Sequence, residues 1–377
     1  MARPRILVVD DDAAHRRAVE RVLEASNDLE AVAGAAGALA ACERERFDLA
    51  ILDIRMPGMD GFTLMGELKT ADPDLDVILM TGSASDIDAR LARAVRERAF
   101  YFIQKPFHRD VLLALVARCL EIRRLNRERA AHASRLAAEL EAARRFQASM
   151  LPAATLERDR YELAALYEPS LELGGDFFDY AELGGSVLAL LVSDVAGKGA
   201  AAAMLTGMVK QAFHAAAPDR YAPATAMQRV FEAVKLFPDD RFLTAFCARI
   251  DAQAGLIEYI CTAGHPPPLL KRRSGELEPL VVSSDVLHPA FDMIHFEQKI
   301  LEVQAGDVLM AFTDGLMEAR RSETEEWYDF EGIERSFAKL PIERAPQVVT
   351  HLREALREFQ AGRPPEDDLT IVAVGLK

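Results

Sequence analysis

The C-terminal half of the chain carries an acidic residue between an apolar run and a turn that contains two glycines. The run 187–192 leads into the segment SDVAGKG at 193–199, and an alanine-rich stretch follows at 200–217. The length of the run and its bounding turn residues predict a buried strand, whereas the alanine-rich stretch predicts a helix. We therefore expect Asp194 where the strand ends, beside a glycine turn that lets a ligand approach the backbone closely.

Two other interpretations of this stretch can be weighed from its residues. A phosphate-binding loop of the Walker type is excluded, because Lys198 is followed by Gly199 and not by Ser or Thr. An Asp that caps the next helix is the ordinary alternative, and the stretch by itself leaves that alternative open.

Three further acidic motifs in this half lie beside glycine or at the edge of an apolar run. They are GGD at 174–176, TDG at 313–315 after the run 308–312, and the pair Asp367 and Asp368 before the run 369–374. Taken singly, each acid could be an ordinary turn residue. Together, carboxylates of this kind can hold two divalent cations, which lower the pKa of a shared water and neutralise a phosphate monoester.

The N-terminal third carries a second set of polar residues, each at the end of an apolar run. The runs lie at 6–9, 49–52, 77–80 and 100–104, and helical patterns lie between them. This alternation predicts a parallel sheet with right-handed crossovers, in which the carboxyl ends of the strands line one crevice. The residues that follow the runs are Asp10, Asp11 and Asp12, then Asp53, Thr81 and Lys105. Such a cluster of acids is typical of a Mg²⁺ site.

With the motifs MPG at 56–58 and KPF at 105–107, the segment 1–122 resembles a receiver domain of two-component response regulators. The resemblance implies a doubly wound α/β fold with a five-stranded parallel sheet. It implies that Asp53 accepts a phosphoryl group from a cognate histidine kinase. The other implied positions are Asp10, Asp11, Asp53 and the carbonyl of Arg55 for one Mg²⁺, and Thr81, Lys105 and Phe102 for the response to phosphorylation.

A long segment without glycine or proline joins the two halves, from Asp110 to the residue before Pro152. Residues from Leu115 to Met150 repeat at alternating spacings of four and three, which is the heptad spacing of coiled coils. Asn126 and Arg129 interrupt the apolar seam. The pattern predicts a helical coiled-coil connector at 123–152 and a homodimer through it. A solvated helix that packs only on its own domains is the alternative that the pattern leaves open.

The remaining residues, 153–377, resemble the metal-dependent protein phosphatases of the PPM family, and specifically their bacterial SpoIIE type. The four acidic motifs and the segment TAGHPP at 262–267 carry the resemblance. It implies an α+β fold of two packed antiparallel sheets flanked by helices, with two Mn²⁺ or Mg²⁺ ions between the sheets. The implied metal-binding and catalytic positions are Asp176, Asp194, the carbonyl of Val195, Asp314 and Asp367.

Several neighbouring positions stay open at this point. Asp367 is preferred to Asp368 as the ligand, on the resemblance alone. Thr262 stands where the family often has Asn, so a hydrogen bond near the site is expected to differ. For His265 a role in the turn is favoured over a role as metal ligand, because hard cations prefer oxygen. Lys198 either contacts the substrate phosphate or faces solvent.

The composition limits the classes of protein to consider. The length of 377 residues suggests two or three domains. The net charge of −15 argues against general affinity for nucleic acid, and no apolar run reaches the roughly 18 residues of a membrane-spanning helix. The start shows no secretory signal, and the four cysteines lack CxxC spacing, as is usual in a reducing compartment. We expect a cytoplasmic protein without nucleic-acid or membrane partners.

These features predict a response regulator whose output domain is a protein serine/threonine phosphatase that uses a dinuclear-metal-activated water. The resemblance suggests a phosphorylated STAS-type anti-sigma-factor antagonist as the substrate, in a partner-switching pathway. The alternative is a phosphorylation-regulated adaptor, whose phosphatase-like domain binds a partner of the sigma pathway without catalysis. The presence of all four acids favours the enzyme.

Overall fold

The structure, a computed structural model, describes residues 3–82, 101–238, 240–322, 326–340 and 344–377. Contacts between residues divide the chain into two compact units, Met1–Leu136 and Ala137–Lys377. The predicted domain limits at 122 and 152 remain predictions. No helix within the described ranges has both the length and the apolarity needed to cross a membrane.

The N-terminal unit is built on a sheet of five parallel strands, as predicted. Its strands are β1 Arg5–Val9, β2 Asp28–Val32, β3 Leu49–Asp53, β4 Asp76–Thr81 and β5 Tyr101–Gln104, and the helices between them include α1 Ala13–Leu23, α2 Ala35–Arg44 and α3 Gly61–Ala71. The strand order is β2-β1-β3-β4-β5. Alternate residues of β1 enter separate cores, with Leu7 and Val9 on one face and Ile6 and Val8 on the other. Both faces of the sheet are therefore covered, which confirms the doubly wound fold.

Two features of this sheet differ from the predicted strands. β2 was not among the apolar runs, because its acids Asp28 and Glu30 alternate with Leu29 and Ala31 at the edge of the sheet. The run predicted at 100–104 appears as Tyr101–Gln104, and residue 100 lies outside the described residues.

The predicted connector is one continuous helix, α4 Arg109–Met150. In the N-terminal unit its buried residues include Leu112, Val116 and Cys119, which join the core of the sheet. Residues 124–139 are exposed, and this stretch includes the predicted seam position Leu136, which is 58% exposed. Gln147 is buried within the C-terminal unit. The helix is confirmed, whereas its pairing with a second copy stays a prediction.

The C-terminal unit consists of two antiparallel sheets packed face to face, as predicted. The first contains β8 Asp176–Glu182, β9 Val187–Val195, β10 Leu243–Asp251, β11 Leu256–Cys261 and β14 Lys299–Glu302, in the order β14-β11-β10-β9-β8. The second contains β6 Thr155–Glu157, β7 Tyr161–Glu168, β12 Leu269–Lys271, β13 Leu277–Pro279, β15 Val308–Phe312 and β16 Leu369–Leu376, in the order β13-β12-β15-β16-β7-β6. Val192 and Phe246 of the first sheet share a core with Leu309 and Val372 of the second.

Helices cover the outer face of each sheet. The first sheet packs against α5 Ala200–His214 and α6 Pro223–Val234, through residues such as Val209 and Val230. The second packs against α7 Asp329–Lys339 and α8 Ala345–Gln360, through residues such as Phe337 and Leu352. This layered arrangement confirms the predicted α+β class.

Two details around Asp194 correct the predictions. β9 continues to Val195, so Asp194 lies inside the strand, where it is paired with Asp176 and Thr244 on the neighbouring strands. It is therefore not the cap of the next helix, whose N-cap residue is Gly199. That helix ends at His214, earlier than predicted, because Pro218 has no N–H to continue the ladder.

Candidate active site

Polar residues replace the apolar ones where the inner face of the first sheet reaches its end. Asp176, Asp194 and Thr244 are direct antiparallel partners on three adjacent strands, and such partners point to the same face of a sheet. Along β9, Val192 lies two residues before Asp194 and is buried in the core between the sheets. The side chains of Asp176 and Asp194 therefore face the space between the two sheets.

The second sheet brings two more acids to the same end of the sandwich. Asp314 follows β15 and Asp367 precedes β16, and these two strands are antiparallel neighbours. The hydroxyls of Thr313 and Thr370 donate to Oδ2 of Asp176, at 2.5 and 2.7 Å. These bonds join the sheets at the site and bring all four predicted acids to one end of the fold.

The electrostatics of the cluster suit a site for cations. Burial, together with the charges of Asp314 and Asp367, raises the pKa of Asp194 to about 8. Burial and Asp367 raise the pKa of Asp314 to about 6, and burial and Asp194 raise the pKa of Asp176 well above its ordinary value. Carboxylates in this setting are stabilised as anions by a positive charge among them. An all-oxygen donor set of this kind fits Mn²⁺ or Mg²⁺.

Two glycines of the acidic motifs are required by close contacts between backbones. A Cβ on Gly175 would lie 2.5 Å from the carbonyl oxygen of Val195 and 2.9 Å from that of Gly197. A Cβ on Gly315 would lie 2.0 Å from the carbonyl oxygen of Asp368. The motifs GGD and TDG therefore set the spacing between strands as well as supplying acids.

The contacts of Asp367 and Asp368 separate their roles. Asp368 is 3% exposed, and it accepts hydrogen bonds from the amides of Ser170 and Gly175, both at 2.7 Å, and from the Ser170 hydroxyl at 2.9 Å. These bonds fix the loop that leads to Asp176. Asp367 is more open, and its Oδ2 lies 2.9 Å from Nζ of Lys198. The carboxylate of Asp368 is thus engaged with the backbone, and Asp367 stays the predicted ligand, as the resemblance implied.

The loop after Asp194 is held by residues at the start of β10. The guanidinium of Arg241 donates to the carbonyl of Ala196 at 2.6 Å, and the amide of Ala196 donates to the carbonyl of Phe242 at 2.9 Å.

Burial alone would lower the pKa of Lys198, but its hydrogen bond with Asp367 and the acidic surroundings raise it. Lys198 therefore faces an acid of the site in addition to solvent.

Thr262 and His265 lie beside this loop in structural roles. The hydroxyl of Thr262 accepts a hydrogen bond from the amide of Ala245 at 2.8 Å, between two strands of the first sheet. Nδ1 of His265 lies 3.2 Å from the hydroxyl of Thr244. Burial lowers the pKa of His265 to about 3, so the ring is neutral. Both contacts organise the turn next to the acids.

The end of α4 contacts the loop that carries the GGD motif. The side-chain amide of Gln147 donates to the carbonyl of Gly174 at 2.7 Å, and its oxygen accepts from the amide of Gly174 at 3.3 Å. Gln147 is 5% exposed. The backbone two residues before Asp176 is therefore held by the connector helix.

The predicted receiver site is assembled at the carboxyl ends of β1 and β3. Nζ of Lys105 lies 2.5 Å from Oδ2 of Asp10 and 2.8 Å from Oδ1 of Asp53. Asp10, Asp11 and Asp53 each place a carboxylate oxygen within 4.8 Å of the others. Among the described residues, this is the one set of three acids that meets that spacing. The acids of the C-terminal unit are therefore spread more widely.

Other predicted receiver positions surround this group. The hydroxyl-bearing Thr81 is fully buried at the end of β4, and its carbonyl accepts from the amide of Lys105 at 2.6 Å. Phe102 is half-buried on β5, and Arg55 is exposed in the loop after Asp53. The roles of these residues in phosphorylation stay predictions.

Sequence reasoning did not identify the individual contacts that support the site. Thr313 and Thr370 give Asp176 its hydrogen bonds, and Gln147 holds the preceding loop. A signal existed for the threonines, because each is a hydroxyl residue beside an acidic motif at the edge of an apolar run. The partner of each hydroxyl depends on pairing across two sheets, which the sequence does not specify.

Two family models match the chain. The model described as Response regulator receiver domain matches residues 6–117, and the model described as Stage II sporulation protein E (SpoIIE) matches residues 184–377. The second match covers half of the chain. Together they confirm both resemblances expected from the motifs.

Curated relatives match parts of the chain. The C4-dicarboxylate transport transcriptional regulatory protein DctD of Rhizobium meliloti (strain 1021) is 40% identical over 125 residues, which are 33% of this chain and 27% of that protein. Protein IcfG of Synechocystis sp. (strain ATCC 27184 / PCC 6803 / Kazusa) is 26% identical over 269 residues, 63% of this chain and 41% of that protein. The chain thus spans less than half the length of these relatives.

Solved structures share the fold of the C-terminal unit. The SiaA-PP2C domain of Pseudomonas aeruginosa, 19% identical, superimposes with a TM-score of 0.58 over 66% of this chain and 100% of that one. The RsbU and RsbW domains of Rv1364c from Mycobacterium tuberculosis, 24% identical, superimpose with a TM-score of 0.50 over 60% of this chain and 62% of that one. The chain therefore belongs to the Stage II sporulation protein E (SpoIIE) family, with a PP2C-type phosphatase fold joined to a response-regulator receiver domain.

Proposed function

We propose that this chain is a metal-dependent protein serine/threonine phosphatase controlled by phosphorylation of its receiver domain. The observation that carries the proposal is the convergence of Asp176, Asp194, Asp314 and Asp367 at one end of the sandwich. These acids come from segments far apart in the chain, and three of them have raised pKa values. Burial of these acids and their mutual repulsion disfavour the anionic forms, and bound cations relieve both.

Asp176, Asp194, Asp314, Asp367 and the carbonyl of Val195 would hold two Mn²⁺ or Mg²⁺ ions. When bound, such a pair supplies Lewis acidity for a water and neutralises a phosphomonoester. Thr313 and Thr370 orient Asp176 through its Oδ2. Gly175 allows the Val195 carbonyl to lie against the GGD loop. The reaction would be hydrolysis of a phosphoserine or phosphothreonine ester by water.

The first test is hydrolysis of p-nitrophenyl phosphate by the full chain with and without Mn²⁺. We expect activity that depends on Mn²⁺ and falls at least about a hundredfold in Asp194→Asn, because a carboxylate at the centre of the acidic cluster is lost. Asp159→Asn is the matched control, since Asp159 is an exposed acid of the same unit. A wild-type chain that binds Mn²⁺ without hydrolysing any phosphoester would favour the adaptor instead.

The receiver site supports a proposed phosphoacceptor. Asp53 is 7% exposed and is contacted by Lys105, in a cluster with Asp10 and Asp11. We propose that the three acids and the Arg55 carbonyl hold one Mg²⁺, and that a histidine kinase phosphorylates Asp53. The added negative charge would change the contacts of Thr81, Lys105 and Phe102. Acetyl phosphate should label the wild-type chain and fail to label Asp53→Asn.

The helix α4 supports a proposed route of control. One helix contributes Leu112 and Cys119 to the receiver core and Gln147 to the GGD loop. A homodimer through the exposed stretch 124–139 would bias the position of Gln147 and, with it, that of Asp176. We expect acetyl phosphate to raise phosphatase turnover in the wild-type chain. In Gln147→Ala that response should shrink, and an unchanged response would refute the route.

The proposed substrate class is a phosphorylated STAS-type anti-sigma-factor antagonist, on the resemblance to SpoIIE-type phosphatases. Dephosphorylation of candidate phosphorylated STAS proteins with Mn²⁺, followed on Phos-tag gels, tests the substrate directly. Asp194→Asn serves as the inactive control. Turnover of p-nitrophenyl phosphate with no turnover of any phosphorylated STAS protein would leave the phosphatase and remove this substrate class.

A further inference from the structure

Lys198 contacts Asp367 within the site but has no role in the reaction proposed above. Its ammonium lies 2.9 Å from Oδ2 of Asp367 and also donates to the carbonyl of Glu366. The other oxygen of the same carboxylate, Oδ1, accepts from the amide of Asp368 at 2.8 Å. Both oxygens of Asp367 therefore have partners, and the Oδ2 partner is a flexible cation.

The backbone around Lys198 is built from two glycines. Gly197 has φ of +98° and Gly199 has φ of +76°, a region that favours glycine. The Lys198 side chain is 40% exposed. Its solvent-facing part leaves room for a second rotamer, and the contacts with Glu366 and Asp367 define the present one.

The contact between Lys198 and Asp367 affects the charge balance of the site. Burial and the neighbouring acids together raise the pKa values of Asp194 and Asp314, and the ammonium of Lys198 offsets part of the negative charge at Asp367. A divalent ion that takes Oδ2 of Asp367 needs the position that the ammonium contacts. The ion and the ammonium therefore compete for one oxygen atom, and they also repel each other.

We propose that Lys198 is an exchangeable counter-cation: it shares Asp367 with a divalent ion, and the ion's arrival releases it to bind the substrate phosphoryl group. This inference rests on the phosphatase function proposed above and adds a residue for phosphate recognition. Released from Asp367, the ammonium stays near the acidic cluster, because Lys198 follows Asp194 by only four residues and lies three residues after the end of β9. A lysine ammonium is a point-charge ligand suited to phosphate.

The first experiment measures Mn²⁺ binding to the full chain by the electron paramagnetic resonance signal of free Mn²⁺. The N-terminal acidic cluster is disabled with Asp53→Asn in every sample, so that the C-terminal site is counted. Lys198→Gln should bind Mn²⁺ about two- to fivefold more tightly, the range that a half-exposed ion pair supports. Lys198→Arg should stay near the parent value.

Lys235→Gln is the control for loss of a positive charge from the same unit. Its Nζ contacts the carbonyl of Asp292 at 2.5 Å and none of the site acids, so Mn²⁺ affinity should not change. Weaker or unchanged Mn²⁺ binding in Lys198→Gln would overturn the proposal. A parent chain that binds no Mn²⁺ at the C-terminal site would instead overturn the phosphatase function itself.

The second experiment measures inhibition of p-nitrophenyl phosphate hydrolysis by orthophosphate at saturating Mn²⁺. Lys198→Gln should raise the inhibition constant about fivefold or more, since one charge-assisted bond to phosphate is lost. Lys198→Arg should restore most of that affinity. Tighter Mn²⁺ binding with an unchanged inhibition constant would overturn the phosphate role. If the parent hydrolyses the ester normally, that result leaves the proposed function standing.

Discussion

Gly175→Ala is the substitution for which the structure specifies both the cause and the size of the effect. The new Cβ would lie 2.5 Å from the Val195 carbonyl oxygen and 2.9 Å from that of Gly197, whereas ordinary contacts begin at 3.4 Å. The glycine loop or the strand after Asp194 must therefore move by roughly 0.9 Å. A displacement of about 1 Å in a catalytic arrangement costs on the order of a hundredfold in rate, and overpacking costs about 1–3 kcal/mol in stability.

The assay compares Gly175→Ala with Gly207→Ala, a glycine inside α5 of the same unit. A Cβ at Gly207 would make an ordinary contact, 3.6 Å from Sδ of Met150. This control should keep its activity and gain about 0.5–1 kcal/mol from the stiffer unfolded chain. We expect kcat/KM for p-nitrophenyl phosphate with Mn²⁺ to fall about a hundredfold in Gly175→Ala. A rate within threefold of wild type, at an unchanged melting temperature, would refute the steric argument.

Four further outcomes are expected. Burial and neighbouring acids raise the pKa of metal-free Asp194 from 3.8 to about 8, and this state is studied in EDTA. The folded state then holds a proton that the unfolded chain loses, so the contribution of Asp194 to stability should fall by ~1.4 kcal/mol per pH unit from about pH 4 to 8; a stability difference between wild type and Asp194→Asn that does not change with pH in melting scans would contradict this. Burial lowers the pKa of His265 from 6.5 to about 3, so the unfolded chain binds a proton that the folded state does not, and the contribution of His265 to stability should fall on acidification below pH 6.5, with a sign opposite to that of Asp194; in the same scans His265→Gln should gain stability relative to wild type as the pH falls from 6.5 to about 4, and a constant difference would contradict this. Asp367→Asn should lose Mn²⁺ affinity at an unchanged melting temperature, whereas Asp368→Asn should lower the melting temperature; equal effects on Mn²⁺ binding would contradict the assignment. Lys271→Met should cost about 3 kcal/mol in urea unfolding, since the buried ammonium donates to three carbonyls at the end of α7, and a loss below 1 kcal/mol would contradict it.

The sequence was most informative where chemistry requires a particular residue at a particular strand end. The acids at 176, 194, 314 and 367 and the cluster around Asp53 could be named as candidates because their motifs together resemble those of two known families. The strand β2 could not be named from an apolar run, since its acids alternate with apolar residues at the edge of the sheet. The end of β9 was placed too early, because Asp194 is kept in the strand by partners from distant segments.

The supporting contacts were beyond sequence reasoning for a related reason. The hydrogen bonds of Asp176 with Thr313 and Thr370 span 137 and 194 residues. They depend on how the two sheets are stacked, and no local pattern encodes that stacking. The heptad spacing of α4 likewise predicted a helix, but Leu136 of the seam is exposed and Gln147 is buried in the C-terminal unit. Periodicity identifies the face of a helix without identifying what covers it.

The acids of the site belong to different layers of the sandwich. Asp176 and Asp194 are residues of the first sheet, whereas Asp314 and Asp367 flank strands of the second. Ions held by these side chains would link the two sheets at this end, in addition to the two threonine hydroxyls. Chelation should then loosen one end of the sandwich selectively, and amide exchange in β8 and β16 should report that loosening before the remaining strands open.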